Sequence, residues 1–276
     1  MKRDAIEEKV AALDALHHTP LCALEPVRKA LKDRSNVVAA KAAKLAGQLL
    51  LSGAVPDLLQ AFEHFLKDAA KTDPKCWAKV AIVKALRELD YDDPALFLRG
   101  MDHVQMEAAW GGKADSAGEL RGACALTIVG CSMPREAILL RLADLLADPE
   151  MRVRIDAARA IAQLPGGDSI LMLRVKALAG DAEPAVTGQC FLSLLGMEPR
   201  GSVAFVARYL DHADEALRFE AAAALGECPD VVAVETLIER WKREGNPEMK
   251  KAMELSLGVS RLPEARKFLE QIREGD

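Results

Sequence analysis

The fold is decided by one stretch of the sequence, DPEMRVRIDAARAIA at residues 148–162. It opens with turn-forming residues, continues with an apolar residue followed by arginine at Val153 and Arg154, and ends in small and apolar side chains. The apolar and small positions recur at the three- and four-residue spacing of an amphipathic helix. The same pattern returns as DEALRFEAAAALG at residues 214–226, so the stretch belongs to a repeat.

The apolar residue before the basic one serves as the anchor of this repeat. The regular anchors are Leu120, Val153, Val186, Leu217 and Met249, separated by 33, 33, 31 and 32 residues. A fixed period of this length indicates stacked helical hairpins. Upstream, Val38 and Ala78 fit the same frame with steps of 40 and 42 residues, which predicts longer connections in the first repeats.

Each repeat is predicted to contain a helix A, a short turn and an anchored helix B. The predicted hairpins span residues 24–52, 54–90, 93–131, 134–164, 167–197, 198–228 and 229–260. Proline precedes several A helices, where its missing N–H costs nothing. Glycine lies nine or ten residues after most anchors, at Gly130, Gly196, Gly226 and Gly258, and we expect a positive φ there at the end of helix B. Amphipathic helices at Lys2 to Leu16 and Glu264 to Arg273 are expected to cap the stack.

The frame Asp-Pro-x-x-x-Val-Arg-x-x-Ala-Ala-x-Ala-Ile-Ala at residues 148–162 resembles HEAT repeats, and is most similar to the short HEAT-like version also found in phycobilisome lyases. The resemblance is strong over 119–260 and weaker before. It implies an all-α fold, an α-α superhelix (right-handed solenoid) of about seven HEAT-like hairpins with capping helices. The predicted single domain, 1–276, comprises an N-terminal cap (1–23), irregular repeats (24–118), regular repeats (119–260) and a C-terminal cap (261–276). Function is poorly specified, since this scaffold serves adaptors, transport factors, lyases and glycosylases alike.

Composition narrows the function classes. Half of the 276 residues are apolar but only 4% are aromatic, and the net charge is −5. The overall acidity gives no electrostatic footprint for nucleic acid. No apolar run is long enough to cross a membrane, and the charged start at Lys2 and Arg3 is unlike a signal peptide. The six scattered cysteines are expected to be reduced core thiols in a cytoplasmic protein.

The residue after each anchor forms a basic ladder, interrupted at Thr187: Lys79, Arg121, Arg154, Arg218 and Lys250. One interpretation is a groove on the helix-B surface for an acidic peptide, a phosphate backbone or another anionic ligand. The alternative is that each cation pairs with an acid at a neighbouring A–B turn, such as Asp148, Asp181 or Asp211.

The irregular part of the chain also concentrates basic and aromatic residues. Between Val27 and Arg87 there are twelve Lys and Arg against five Asp and Glu, a local charge of +7. Trp77 lies in this segment, and six of the twelve aromatic residues fall between residues 62 and 110. Most are expected to be core, but Trp110 stands beside Gly111 and Gly112 on an inserted loop and is expected to be exposed.

Catalysis has little support in the sequence. The five histidines show no metal-ligand spacing, and the paired His-Glu ligands of the di-iron hydroxylases built on these repeats are missing. No cofactor is expected. The leading hypothesis is a non-enzymatic scaffold that binds a protein or peptide on its concave helix-B face. The alternative is a lyase-like or DNA-glycosylase-like protein that acts on an anionic ligand or nucleic acid through the N-terminal half. No membrane contact is expected, and the oligomeric state is left open.

Overall fold

The structure is a computed structural model that describes residues 2–274, and it is almost entirely helical. The first eight helices are α1 (Lys2–Ala15), α2 (Leu24–Leu31), α3 (Asn36–Gln48), α4 (Val55–Leu66), α5 (Ala69–Thr72), α6 (Trp77–Glu88), α7 (Ala95–Met101) and α8 (Gly118–Ile128). The others are α9 (Arg135–Leu145), α10 (Met151–Ala162), α11 (Gly167–Ala179), α12 (Pro184–Met197), α13 (Pro199–Ala207), α14 (Glu215–Glu227), α15 (Val231–Arg243), α16 (Pro247–Val259) and α17 (Pro263–Glu274). The all-α prediction is confirmed.

The helices pair in chain order within the predicted spans. Within the described residues, six pairs of A and B helices are in contact, namely α2 and α3, α4 and α6, α7 and α8, α11 and α12, α13 and α14, and α15 and α16. The helices α9 and α10 follow each other within the predicted span 134–164. The predicted terminal helices form as α1 and α17. None of the helices within residues 2–274 has the length and hydropathy of a membrane span.

Contacts divide the chain into two compact units, residues 1–138 and 139–276, with the border inside α9. In the first unit, α3 packs against α6 and α6 packs against α8. In the second unit, α10, α12, α14 and α16 pack in succession, each against the next. A row of B helices therefore forms the centre of each unit. The single-domain assignment over 1–276 stays a prediction.

Small side chains allow these B helices to approach closely. Ala39, Ala42, Ala43 and Ala46 of α3 are fully buried, and they form a flat surface against which α6 packs. Packing of two helix backbones at short distance requires small residues at the contact. The alanine-rich composition therefore has a direct structural cause.

The prediction of a positive φ at the repeated glycines is wrong. The glycines with positive φ in the described residues are Gly111, Gly112, Gly166 and Gly180. Gly226 lies within α14, and a Cβ placed there would come within 2.4 Å of the carbonyl oxygen of Ser256 in α16. Glycine is needed at this position because the neighbouring backbone leaves no room for a side chain.

Part of the predicted loop at residues 109–115 instead forms strands. Strands β1 (Met106–Ala109) and β2 (Gly112–Asp115) make an antiparallel hairpin in which Ala109 pairs with Gly112. Gly111 has φ of 90°, as expected at the third position of a type II turn. Four-residue strands of mainly alanine and glycine carry almost no strand propensity, so the sequence pattern gave no sign of this hairpin.

We predict that Gly226→Ala destabilises the second unit. Overpacking costs about 1–3 kcal/mol and exceeds the gain of about 1 kcal/mol in helix propensity. Gly196→Ala is the matched control, because a Cβ at this helical glycine meets nothing within 4 Å. Thermal unfolding should give a lower Tm for Gly226→Ala and an unchanged or higher Tm for Gly196→Ala. Equal behaviour of the two variants would show that α14 and α16 are not in close contact.

Candidate functional site

Lys79, the first residue of the basic ladder, is fully buried in α6. Its Nζ donates hydrogen bonds to Oδ2 of Asp73 at 3.0 Å, to the carbonyl of Phe65 at 3.2 Å and to Oε1 of Gln105 at 3.1 Å. An ammonium group has three donors, so all of them are used. Lys79 is part of the interior of the unit.

The carboxylate of Asp73 connects Lys79 to two helices. Its Oδ1 accepts hydrogen bonds from the main-chain N–H of Ala78 at 2.9 Å and from Nδ2 of Asn36 at 3.1 Å, and its Oδ2 also accepts from the main-chain N–H of Lys79. Asp73 thereby satisfies N–H groups in the first turn of α6, which have no acceptor within the helix. One buried carboxylate thus holds the start of α6 against the start of α3.

Arg121 is buried in the same way in α8. Its Nη1 donates to Oδ2 of Asp115 at 2.6 Å and to the carbonyl of His103 at 3.0 Å. Burial opposes ionisation of Asp115, but hydrogen bonds from the main-chain N–H groups of Gln105 and Ala117 and from Arg121 outweigh it and lower the pKa of Asp115. The loop between α7 and α8 is therefore tied to the helix that follows it.

Arg154 makes a bidentate pair in the second unit. Its Nε and Nη2 lie 2.9 and 2.8 Å from the two carboxylate oxygens of Asp181, and its Nη1 donates to the carbonyl of Asp148. Lys176 also contacts Asp181 at 2.8 Å. Burial opposes the ionisation of Asp181, but the hydrogen bonds from Arg154 and Lys176 prevail and lower its pKa to about 2.

The last two ladder residues are half-buried. Arg218 donates to the carbonyl of His212 at 3.0 Å and to Glu215 at 3.1 Å. Nζ of Lys250 lies 4.3 Å from the ring centroid of Trp241, in a cation–π contact. Arg218 thus pairs with an acid, as the alternative predicts, whereas Lys250 contacts an aromatic ring and Asp211 pairs with Arg240. A ligand groove formed by the ladder stays a prediction.

Trp77 has a different environment, since half of its side chain is exposed. It lies at one end of a groove of about 500 Å³ in the first unit, which we name the Trp77 groove. The groove is lined by Val10 of α1, by Val37, Ala40, Lys41 and Lys44 of α3, by Trp77, Val80, Ala81, Lys84, Ala85 and Glu88 of α6, and by Glu119 of α8. It is therefore a surface of B helices.

The Trp77 groove has an apolar floor and a charged rim. Val37 and Trp77 supply exposed apolar surface, while Lys44 and Lys84 are exposed lysines two turns further along their helices. Lys84 pairs with Glu119 at 2.7 Å, and both side chains are about half-exposed. Exposed pairs of this kind contribute at most about 1 kcal/mol, so a carboxylate of a partner could replace Glu119 at little cost.

A sequence signal for this groove exists in the repeat register. The step of 40 residues that relates anchors Val38 and Ala78 also relates Val37 to Trp77 and Lys44 to Lys84. Val37 and Trp77 stand one position before their anchors, and Lys44 and Lys84 stand six positions after them. The residues of the basic ladder stand one position after each anchor. Their side chains point to the A–B turns and not to the groove. Of the seven predicted site residues, Trp77 alone lines the groove.

Trp110 is fully exposed, as expected. It forms the turn of the β1–β2 hairpin, which we name the finger (Met106–Asp115). Eight of its ten residues, Trp110 included, are exposed, and the other two, Glu107 and Asp115, are half-buried. Phe62, Phe65 and Phe97, in contrast, are fully buried core residues, while Tyr91 is half-buried, so half of the six aromatic residues in this part of the chain lie in the core.

Within residues 2–274, the His, Cys, Asp and Glu side chains form no group of three or more placed to hold a metal ion. Burial raises the pKa of the Cys76 thiol to about 11, so it is protonated at neutral pH. His103 lies in the loop after α7 and contacts Gln105 at 3.2 Å.

Comparison with known proteins identifies the repeat. Residues 171–258 match the family described as HEAT repeats, and the helix pairs found there have the corresponding architecture. The chain therefore contains HEAT repeats. The closer similarity to the phycobilisome-lyase version stays a prediction. A comparison with curated protein sequences gave no match.

Among solved structures, human deoxyhypusine hydroxylase in complex with glycerol aligns over 94% of this chain and 98% of that chain, with 16% identity and a TM-score of 0.36. A similarity of this size supports no inference about activity.

The buried Lys79–Asp73 pair yields a stability prediction. Lys79→Met or Asp73→Asn leaves a buried charged partner unpaired, and each should lower the free energy of unfolding by about 3–5 kcal/mol. The double variant should lose less free energy of unfolding than the two single variants lose together. Urea denaturation of this double-mutant cycle checks the prediction, with Lys84→Met as the control from an exposed pair. A cost for Lys79→Met as small as that for Lys84→Met would contradict burial of the pair.

The Arg154–Asp181 pair yields a pH prediction. The ordinary pKa of 3.8 for Asp181 falls to about 2 in the folded chain, so the ionised carboxylate stabilises the fold above pH 4. This contribution of about 2 kcal/mol should disappear as the pH falls from about 4 to about 2. Asp181→Asn should therefore be less stable than the parent at pH 7 and equal to it near pH 2. Denaturation midpoints across this range provide the measurement, and Asp144→Asn, in an exposed pair, should show little difference at any pH.

Proposed function

We propose that the chain is a non-enzymatic binding module whose Trp77 groove holds an acidic protein segment with an apolar anchor residue. One observation carries the proposal. The groove combines an exposed tryptophan and an apolar floor with lysines on its rim. Partly exposed tryptophans in concave surfaces are the residues that most often dominate protein–protein binding energy.

Charge favours an acidic partner. The groove is lined by three lysines, Lys41, Lys44 and Lys84, against the two acids Glu88 and Glu119. Nine of its twelve lining residues also fall in the segment from Val27 to Arg87, which carries a net charge of +7. This excess steers an acidic segment to the groove and selects against basic ones.

The shape of the groove favours a polypeptide over a small molecule. Its residues come from four helices and recur along α3 and α6 at helical spacing, so contacts are distributed along the groove. Repeat proteins bind extended partners in this way, through many moderate contacts at fixed spacing. The proposal places the protein in the cytoplasm, where the six cysteines, all free thiols in the structure, would stay reduced.

A lyase-like or DNA-glycosylase-like activity is the alternative. It requires a basic, aromatic-rich concavity, but Phe62, Phe65 and Phe97 are buried in the core and two acids line the groove. The two acids oppose a phosphate backbone and an acidic peptide alike, but nucleic-acid bases also need aromatic side chains to stack on, and Trp77 is the one aromatic residue among the described residues that line the groove. Protein binding therefore has the better physical support.

Selection from a random peptide library displayed on phage tests the proposal. Peptides that bind the intact chain should combine several Asp or Glu residues with one large apolar residue. Trp77→Ala and the charge reversals Lys44→Glu and Lys84→Glu should each weaken a selected peptide at least about tenfold, or about 1.4 kcal/mol. Fluorescence anisotropy with the synthetic peptide measures the loss.

Lys71→Glu is the matched control, since Lys71 is an exposed lysine of the same basic segment outside the groove. An equal loss with Lys71→Glu would indicate unspecific charge attraction and would refute the groove. Duplex DNA is the second probe. Tight binding of DNA with a steep loss of affinity in salt would favour the alternative.

A further inference from the structure

The finger is a structural feature that the proposed groove does not explain. Two short strands project from the loop between α7 and α8, and both faces of the hairpin are largely exposed. Met106 is half-exposed and Trp110 fully exposed. An isolated two-stranded hairpin is marginally stable in water, so this one must be held by its base.

The base of the finger is fixed by several hydrogen bonds. Oε1 of Glu107 accepts from the main-chain N–H of Lys75 at 2.8 Å and from Oγ of Ser116 at 2.6 Å. Nε2 of Gln105 donates to the carbonyl of Asp73 at 2.9 Å, and the main-chain N–H of Gln105 donates to Asp115 at 2.9 Å. The finger is therefore a rigidly mounted element and not a loose loop.

The outer edge of β1 is open for strand pairing. In a hairpin with a two-residue turn the closing pair, here Ala109 and Gly112, exchanges hydrogen bonds, and the pairs then alternate along the ladder. The main-chain groups of Ala108 and Lys113 accordingly point outward on opposite edges. Proteins usually protect such edges with lysine, proline or a covering element. Lys113 does so for β2, whereas β1 carries only Ala108 at this position.

The side chains of β1 are complementary to a second copy of themselves. Met106 and Ala108 project from one face of β1, and Trp110 follows two residues later in the turn of the hairpin. If two β1 strands pair antiparallel about Ala108, Met106 of each copy meets Trp110 of the other. Sulfur–aromatic and apolar contact would then cover both exposed side chains. The same pairing through β2 would bring Lys113 opposite Lys113, which is unfavourable.

We propose that two copies of this chain associate through the β1 edges of their fingers and form a four-stranded antiparallel sheet across a two-fold axis. A second copy is favoured over an unrelated strand because antiparallel pairing about Ala108 places the exposed apolar residues of the two copies opposite each other. The proposal is independent of the Trp77 groove.

Disulfide trapping tests the association on the full-length chain. In the Cys22→Ser background, which removes the exposed native thiol, Ala108→Cys should form a covalent dimer under mild oxidation. The paired Cα atoms across the axis would be about 5.5 Å apart, within the range for a disulfide. Lys113→Cys, on the opposite edge, is the matched control and should cross-link at least about tenfold more slowly. A non-reducing gel taken over time measures both rates.

A second variant separates the interface from random collision. Trp110→Ser in the Ala108→Cys background should slow the cross-linking at least about tenfold, and circular dichroism should show that the helices are intact. Equal rates for the Ala108 and Lys113 cysteine variants would overturn the proposal. So would an unchanged rate after Trp110→Ser, or a cross-link that forms only with a different protein.

Discussion

The buried ammonium of Lys79 is the interaction on which the first unit depends. A lysine without solvent is tolerated only when its charge and all three donors are satisfied. Asp73, Phe65 and Gln105 provide the three acceptors, and they come from the end of α4 and from the two long connections. Each of these segments must adopt one conformation for the lysine to remain buried. The network therefore fixes the start of α6, where Trp77 stands, and the base of the finger.

The regular repeats were predictable because their energetics are local and periodic. Anchors at a spacing of 31 to 33 residues and small residues one turn apart determine a helix pair without reference to distant sequence. The helices α10 to α16 accordingly follow the predicted spans. The reason for glycine at position 226 was not predictable in the same way. It depends on the short distance between Gly226 and the main chain of Ser256 in another helix. Helix-end glycines and close-contact glycines occupy similar places in the sequence.

The candidate site was only partly accessible to sequence reasoning. Basic residues after each anchor suggested a charged groove, yet Lys79 and Arg121 are buried because acids in the preceding loops compensate them. Whether a lysine faces water or a carboxylate depends on loop conformation, and the sequence pattern does not encode it. The exposure of Trp110 was predictable from the two glycines beside it. The other residues of the Trp77 groove can be found only by comparing positions other than the one after the anchor. Val37 and Trp77, for example, both stand one position before an anchor.

Binding of an acidic segment in the Trp77 groove is the central claim, and the three tryptophans of the chain allow it to be tested directly. Incorporation of 5-fluorotryptophan gives separate ¹⁹F NMR signals for Trp77, Trp110 and Trp241. Titration with a selected acidic peptide should shift the Trp77 signal and leave the other two in place. Saturable binding of the peptide with an unchanged Trp77 signal would contradict the account.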